Sequence, residues 1–390
     1  LRETTHSNQR RTTINTKAPN SGTPQPILRL IEGDKLPVVS LREYFNQQRT
    51  LIIPPWQREY SWAIGEEQQV DTLLDDLRKF YHNRGVSQYL IGSVILCDES
   101  TDGEKSQPLL IDGQQRTLTF TLFLMCARKF LKVNKLVDGN NDQQTKLSHN
   151  ILQCLNENPD GSYFPKVKMS RAGTDEILAE LYDWSGIESA ELGTEIFKKA
   201  DSENKSSANL RAVAKYIYDA FTNEEWLPKD EFIPAMEKVL TGVKFIELTV
   251  THKRESIAIF DRINDRGMQL TKADIVKNLI FQETEDDEFD LISEKWNNMA
   301  QSLMDTKRSR LQDPKYLLRA ISHYKYGAHP GYDDLADFWE DKFRNGDVSA
   351  GDLSNLLESK ADFLKYLVNC EHPVFGTTSS IYLAGELGSV

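Results

Sequence analysis

Apolar residues recur along this chain in two registers. Val70, Leu73, Leu74, Leu77, Phe80 and Tyr81 follow three-and-four spacing, which predicts an amphipathic helix over 66–82 with one buried face. Short unbroken apolar runs at Pro37–Val39, Leu51–Ile53, Tyr89–Cys97, Pro108–Ile111 and Val243–Val250 predict strands, with a helical turn at Leu41–Phe45. The polar DESTDGEKSQ segment between the third and fourth runs marks a hairpin loop. Leu109–Lys132 reads LLIDGQQRTLTFTLFLMCARKFLK: a strand, a tight polar turn at Asp112–Gly113, then a segment apolar on nearly every face from Thr117 onward, as a buried helix would be. The hairpin is expected at a sheet edge, from which the polar turn hangs.

The rest of the chain is mostly helical in pattern. A polar break at Asp138–Gln144 opens an insertion with a helix at Leu147–Leu155, a strand at Tyr163–Met169 and a helix at Thr174–Tyr182. Glu191–Ser207 is charged and expected to be mobile, and a helix resumes over Leu210–Phe221. Glu255–Arg266 predicts a helix ended by Gly267, and Thr271 with Asp274 predicts a capping box for a helix at Lys272–Phe281. Beyond 286, Phe289, Ile292, Trp296, Met299 and Leu303 share a face, Asp313–Pro314 is a helix start, and Leu353–Val368 is amphipathic. The expected class is α+β: a mixed sheet with helices over 27–285, then a mostly helical domain over 286–390, behind a disordered polar tail at 1–26.

Composition narrows the function. The 390 residues are 39% hydrophobic, ample for a core, and no apolar stretch is long enough for a membrane helix. No membrane partner and a cytoplasmic location are therefore expected. Cys97, Cys126, Cys154 and Cys370 lack metal-ligand spacing and are expected to be free thiols. A net charge of −12 argues against a surface that grips nucleic acid everywhere, but basic clusters at Arg78–Arg84, Lys166–Arg171, Lys307–Arg310 and Lys315–Lys325 permit a local DNA footprint.

The polar turn is the first candidate site. It places Asp112, Gly113, Gln114, Gln115, Arg116 and Thr117 at a helix N-terminus, where backbone N–H groups and the helix dipole favour an anion such as phosphate. Asp112 acting as a plain helix cap is the simpler alternative. The second is IPPWQREYSW at 53–62, where paired prolines stiffen a segment bearing Trp56, Gln57, Arg58, Tyr60 and Trp62. Such residues suit a flat base or a sugar-phosphate, with Trp62 the one expected to anchor to the core and Gln57 and Arg58 the ones expected to do chemistry. Arg262 and Arg266 lie four apart and share a helix face.

The run IDGQQRTLT at 111–119 resembles the DGQQR signature of the N-terminal domain of GmrSD-type modification-dependent restriction enzymes, a ParB/sulfiredoxin-like family. The 53–62 segment is similar to that family's first motif, with Trp56 where Tyr or Phe is commoner, and FDRINDRGMQLTKADIVKN at 260–278 is similar to its later motif. The resemblance spans about Pro37 to Phe281. It implies a nucleotide-binding and nucleotide-hydrolysing sensor of modified DNA in antiphage defence, using GTP or another nucleoside triphosphate with Mg²⁺. On that implication the turn N–H groups and Arg116 hold phosphates, Asp112 holds the metal, and Gln114 or Gln115 orients water. Gln57 and Arg58 close the site, and Arg262, Asn264 and Arg266 bind nucleotide or position the loop. The absence of GxxxxGK[ST] excludes a P-loop. The implied partners are modified DNA and an HNH-type nuclease domain in cis or in a partner subunit, with a homo-oligomer left open. His323, His329 and His372 lack HNH ligand spacing, so the chain is read as the non-cutting part of a larger enzyme, consistent with its start without Met and its end in an apolar segment. Two rivals are a reader of modified DNA without hydrolysis and a ParB-like DNA nuclease.

Overall fold

The computed structural model of the chain describes residues 37–47, 49–57, 59–99, 107–136, 142–155, 165–169, 174–190, 194–198, 205–264, 271–285 and 287–369. The polar tail, Arg58, Arg266, Gly267 and Cys370 lie outside these residues.

The apolar runs pair into one mixed sheet. Its strands are β1 (Val38–Ser40), β2 (Leu51–Ile53), β3 (Tyr89–Cys97), β4 (Leu109–Asp112), β5 (Val167–Met169) and β6 (Val243–Val250), in the order β1-β6-β3-β4-β2-β5. β3 and β4 are antiparallel, as the hairpin predicts, while β3–β6, β4–β2 and β2–β5 are parallel. The hairpin is not at a sheet edge, because β2 and β5 add beyond β4. The insertion thus supplies an edge strand to the sheet. Val94–Cys97 of β3 and Leu110 and Ile111 of β4 are buried in succession, which is why these strands read as continuous apolar runs instead of alternating ones.

The helices are α1 (Leu41–Asn46), α2 (Gln69–His82), α3 (Gln114–Val133), α4 (Asp142–Cys154), α5 (Thr174–Gly186), α6 (Lys205–Thr222), α7 (Phe232–Gly242), α8 (Lys253–Asn264), α9 (Lys272–Gln282), α10 (Phe289–Met304), α11 (Pro314–Tyr326), α12 (Leu335–Arg344) and α13 (Ala350–Asn369). α3 is buried from Thr117 to Leu131, with Phe120 edge-on to Phe245 of β6 and Phe123 edge-on to Phe221 of α6. This is what a helix apolar on every face requires. α7 is absent from the sequence expectation because Pro234 interrupts its pattern; the proline occupies the first turn, where the missing N–H costs nothing. α7 runs into β6 without a loop, and a Cβ on Gly242 would lie 2.6 Å from Phe80 Cζ.

Capping follows the sequence. Thr271 and Asp274 form the predicted capping box, and Asp313 accepts from the Lys315 N–H with Pro314 in the first turn. Cys97, Cys126 and Cys154 are buried and free, and burial pushes the Cys97 and Cys154 thiols up to about 12. Among the described residues no helix is long and apolar enough to cross a membrane.

One charged cluster lies among the segments that precede β2 and β5, and β6 itself. Arg49 pairs bidentately with Glu247 at 3.0 and 2.7 Å, and Lys166 Nζ donates to the Gln47 carbonyl at 2.5 Å. Burial first, and the Arg49 charge second, push the Lys166 ammonium down to about 7. Above that pH the unfolded chain, with an ordinary lysine near 10.4, binds the proton that the folded chain has lost, so stability rises with pH through this window. The chain should therefore gain stability relative to Lys166→Met between about pH 7 and pH 9, by up to about 1.4 kcal/mol per pH unit. Denaturant unfolding of both proteins at each pH checks this, and parallel pH responses would show that Lys166 is not desolvated.

Candidate functional site

β4 ends at Asp112, and the chain turns into α3 through Gly113 at φ +88. A Cβ there would sit 2.9 Å from Val94 Cγ2 and 3.3 Å from the Ser93 carbonyl, so glycine is required by conformation and by space. Gly113 is itself the N-cap of α3, with no side-chain cap. Asp112 is therefore not a plain helix cap. Its Oδ2 accepts from Arg116 Nη2 at 3.3 Å, and Ser93 Oγ approaches it at 3.5 Å.

A guanidinium in the first turn opposes the dipole of its own helix. Asp112, four residues back, offsets it, and Arg116 Nη1 donates to the Ile91 carbonyl at 3.3 Å. Room for the guanidinium comes from Gly92, at φ +132 beside a register shift in the β3–β6 pairing. A Cβ on Gly92 would lie 1.9 Å from Arg116 Nη1. These bonds are long, and the Arg116 and Asp112 side chains keep 22% and 18% of their exposure, so an anion can reach the pair.

The glutamines divide by task. Gln115 imitates a peptide unit: its Oε1 accepts from the Ser61 N–H at 2.9 Å and its Nε2 donates to the Glu59 carbonyl at 3.1 Å. Gln57 Nε2 donates to the Ile111 carbonyl at 2.8 Å. These bonds bring the 53–62 segment against the turn. Gln114 is buried, and its Oε1 accepts no hydrogen bond from the described residues. A buried acceptor left unmatched costs about 1–3 kcal/mol, which marks Gln114 as a residue with an unmet requirement.

Hydroxyls secure the helix beneath. Thr117 Oγ1 donates to the Gly113 carbonyl at 3.0 Å and meets Tyr44 OH at 2.9 Å, while Tyr60 OH meets Thr119 Oγ1 at 2.8 Å. Burial pushes both phenols up, so they stay neutral. Tyr60 and Trp56 are buried, and Trp56, with Pro54 and Pro55, borders a cavity beside Leu109. Trp56 packs against Phe281 and Phe289, each at 5.1 Å, and Trp62 lies against the core as expected. Lys277, which sequence reasoning passes over, is buried and donates to the Trp56 carbonyl at 3.3 Å and to Asp274 at 3.2 Å, tying the third motif to the first.

Arg58 and Arg266 lie outside the described residues, and Arg262 and Asn264 fall in the last turn of α8 with side chains outside them too. Gly92, Ser93 and the Ile91 carbonyl are absent from the sequence-level candidates. A lone glycine within YLIGSVILC was the available signal, since it marks a bulge or a close approach. A cavity of about 650 Å³ opens beside Leu109 and Cys97, the opposite ends of β4 and β3 from the turn, and no residue from 111 to 117 lines it. Among the described residues no three His, Cys, Asp or Glu side chains gather to hold a metal.

A family model described as the GmrSD restriction endonuclease, N-terminal domain, matches residues 41–281, more than half of the chain. No curated protein matches it.

Gly92 offers a test of this geometry. Gly92→Ala should displace the Arg116 guanidinium and lower stability by about 1–3 kcal/mol, because alanine is strained at this φ. Gly351→Ala, in a helix with open space around the site, should be neutral or stabilising by up to about 1 kcal/mol. Thermal unfolding of both decides; equal shifts would refute the close packing of Arg116 on Gly92.

Proposed function

The chain belongs to the family of the GmrSD restriction endonuclease N-terminal domain, and from that premise we propose that it binds and hydrolyses a nucleoside triphosphate as the sensor module of a modification-dependent DNA restriction system. The observation that carries this reading is the partly exposed Arg116–Asp112 pair, set by Gly92 and Gly113 at the start of a buried helix. Phosphoryl transfer asks a protein mainly for positioning and charge stabilisation. A rigid strand-to-helix turn supports both.

Each residue has a role in this proposal. The first backbone N–H groups of α3 and Arg116 take the phosphates, with the guanidinium moving from its long bond to Asp112 onto the anion. The unmatched Gln114 Oε1 supports Gln114 as the residue that orients the attacking water. Gln115, Gln57 and Thr117 act through the scaffold, holding the 53–62 segment and the helix start in register. Arg58, Arg262, Asn264 and Arg266 are proposed to complete the nucleotide site on the family resemblance.

Mg²⁺ fits this donor set only together with the nucleotide. Asp112 supplies one carboxylate, and phosphate oxygens and water would supply the remaining ligands. When bound, the ion supplies charge neutralisation on the phosphates. Cleavage is assigned to an HNH-type nuclease domain in the same polypeptide or in a partner subunit, with modified DNA as the substrate and GTP or another nucleoside triphosphate as the nucleotide.

The test is Arg116→Ala, measured by phosphate release with each ribonucleoside triphosphate and Mg²⁺ and by thermal unfolding in parallel. Turnover should fall on the order of 100-fold or more, as when an oxyanion donor or an arginine finger is lost. Stability should change by no more than about 1 kcal/mol, as for a partly exposed ion pair. Unchanged turnover would overturn the assignment and leave the turn a structural element.

A further inference from the structure

From 306 to 332 the chain carries Lys307, Arg308, Arg310, Lys315, Arg319 and Lys325 against Asp313 alone, although its net charge is −12. The same stretch holds Tyr316, Tyr324, Tyr326 and Tyr332. We infer that the face formed by Lys315, Tyr316 and Arg319 of α11, with Arg310 before the helix and Tyr332 after it, is a docking surface for the sugar-phosphate backbone of duplex DNA, separate from the turn at Asp112.

How these cations are held carries the argument. On α2, Arg78 and Lys79 both pair with Asp75 at 2.5 Å, and on α12 Arg344 pairs with Glu340 and Asp341. Arg310 instead lies over the Tyr316 ring at 5.0 Å and Arg319 over the Tyr332 ring at 4.7 Å, and neither has a carboxylate partner among the described residues. Lys315 sits between, 5.1 Å from the Tyr316 ring and 6.0 Å from the Tyr332 ring, with Asp313 as its partner at 2.9 Å. The two rings are themselves packed edge to face at 5.3 Å.

A guanidinium stacked on an aromatic face keeps its N–H fork free and fixed in direction, which suits bidentate contact with phosphate. Arg319 is held further by its Nε, which donates to the Pro330 carbonyl at 3.0 Å. The apolar residues Leu317, Leu318 and Ile321 turn the opposite face of α11 into the protein. A surface helix with a packed inner face, and an outer face of oriented cations on aromatic rings, matches a polyanion better than a protein core. Duplex DNA is the polyanion on which an enzyme of a restriction family acts, so this assignment rests on the family reading.

The experiment uses the full chain and a short fluorescently labelled duplex, with anisotropy followed from about 50 to 200 mM salt. Arg310→Ala, Lys315→Ala and Arg319→Ala combined should weaken binding on the order of 10-fold or more at the low end. They should also flatten the salt dependence by roughly 0.9 for each phosphate that is no longer neutralised. Plain and modified duplexes should be weakened equally, because bonds to phosphate carry no sequence information. Arg78→Ala with Lys79→Ala, a change of cations on α2, should alter neither quantity. Arg310→Lys should keep the salt dependence. Should the triple variant fail to fold, Arg310→Glu, at an exposed position in the turn before α11, reads the same effect. Unchanged affinity and slope, an equal weakening by the α2 control, or displacement of the duplex by single-stranded RNA at equal concentration would each overturn the proposal. Phosphate release without DNA should be unchanged in the triple variant, so its failure and that of the hydrolysis reading are distinguishable.

Discussion

The turn at Gly113 has no room for a side chain, and the candidate site depends on that constraint. With φ at +88 and Val94 2.9 Å from where a Cβ would be, the backbone leaves β4 and enters α3 without an intervening loop. The helix it starts is buried over most of its length, so its position is set by packing on many sides. A polar turn fixed at one end to a sheet and at the other to a buried helix holds its groups in place without reorganisation, which is the condition for electrostatic catalysis.

The three polar motifs converge by hydrogen bonds to main-chain atoms. Gln115 bonds Glu59 and Ser61, Gln57 bonds Ile111, and Lys277 bonds Trp56. Side-chain amides are suited to this, since each presents a donor and an acceptor in the geometry of a peptide group. Bonded in this way, the buried Gln57 and the half-buried Gln115 serve the assembly of the site. Arg116 is held by long bonds and the Gln114 Oε1 is unmatched among the described residues, and the proposed chemistry draws on these groups.

Charge is partitioned in the same molecule. The net charge of −12 would repel nucleic acid at long range, yet Arg310 and Arg319 beside and within α11 stand on tyrosine rings and not in ion pairs among the described residues. Arg78 and Lys79 of α2 and Arg344 of α12 are matched to carboxylates one helical turn away. Counting charges along the sequence weights these clusters alike; the difference lies in which partners the fold supplies.

By itself the sequence determined the elements with strong local signals. The apolar runs of β3 and β6, the strand-turn-helix of β4 and α3, the capping box at Thr271 and Asp274, and the buried face of α10 are each encoded within a few residues, where propensity and packing agree. The motif residues of the turn were legible for the same reason. The tertiary structure decided what local pattern cannot carry: that β4 lies inside the sheet, that the glutamines bond to distant carbonyls, and that Trp56 and Tyr60 are spent on packing. It also decided that a bulge at Gly92 makes the space for Arg116. α7 was illegible because its proline reads as a breaker until its place in the first turn is known. Each of these depends on contacts between residues far apart in the chain, and a spacing pattern records only neighbours.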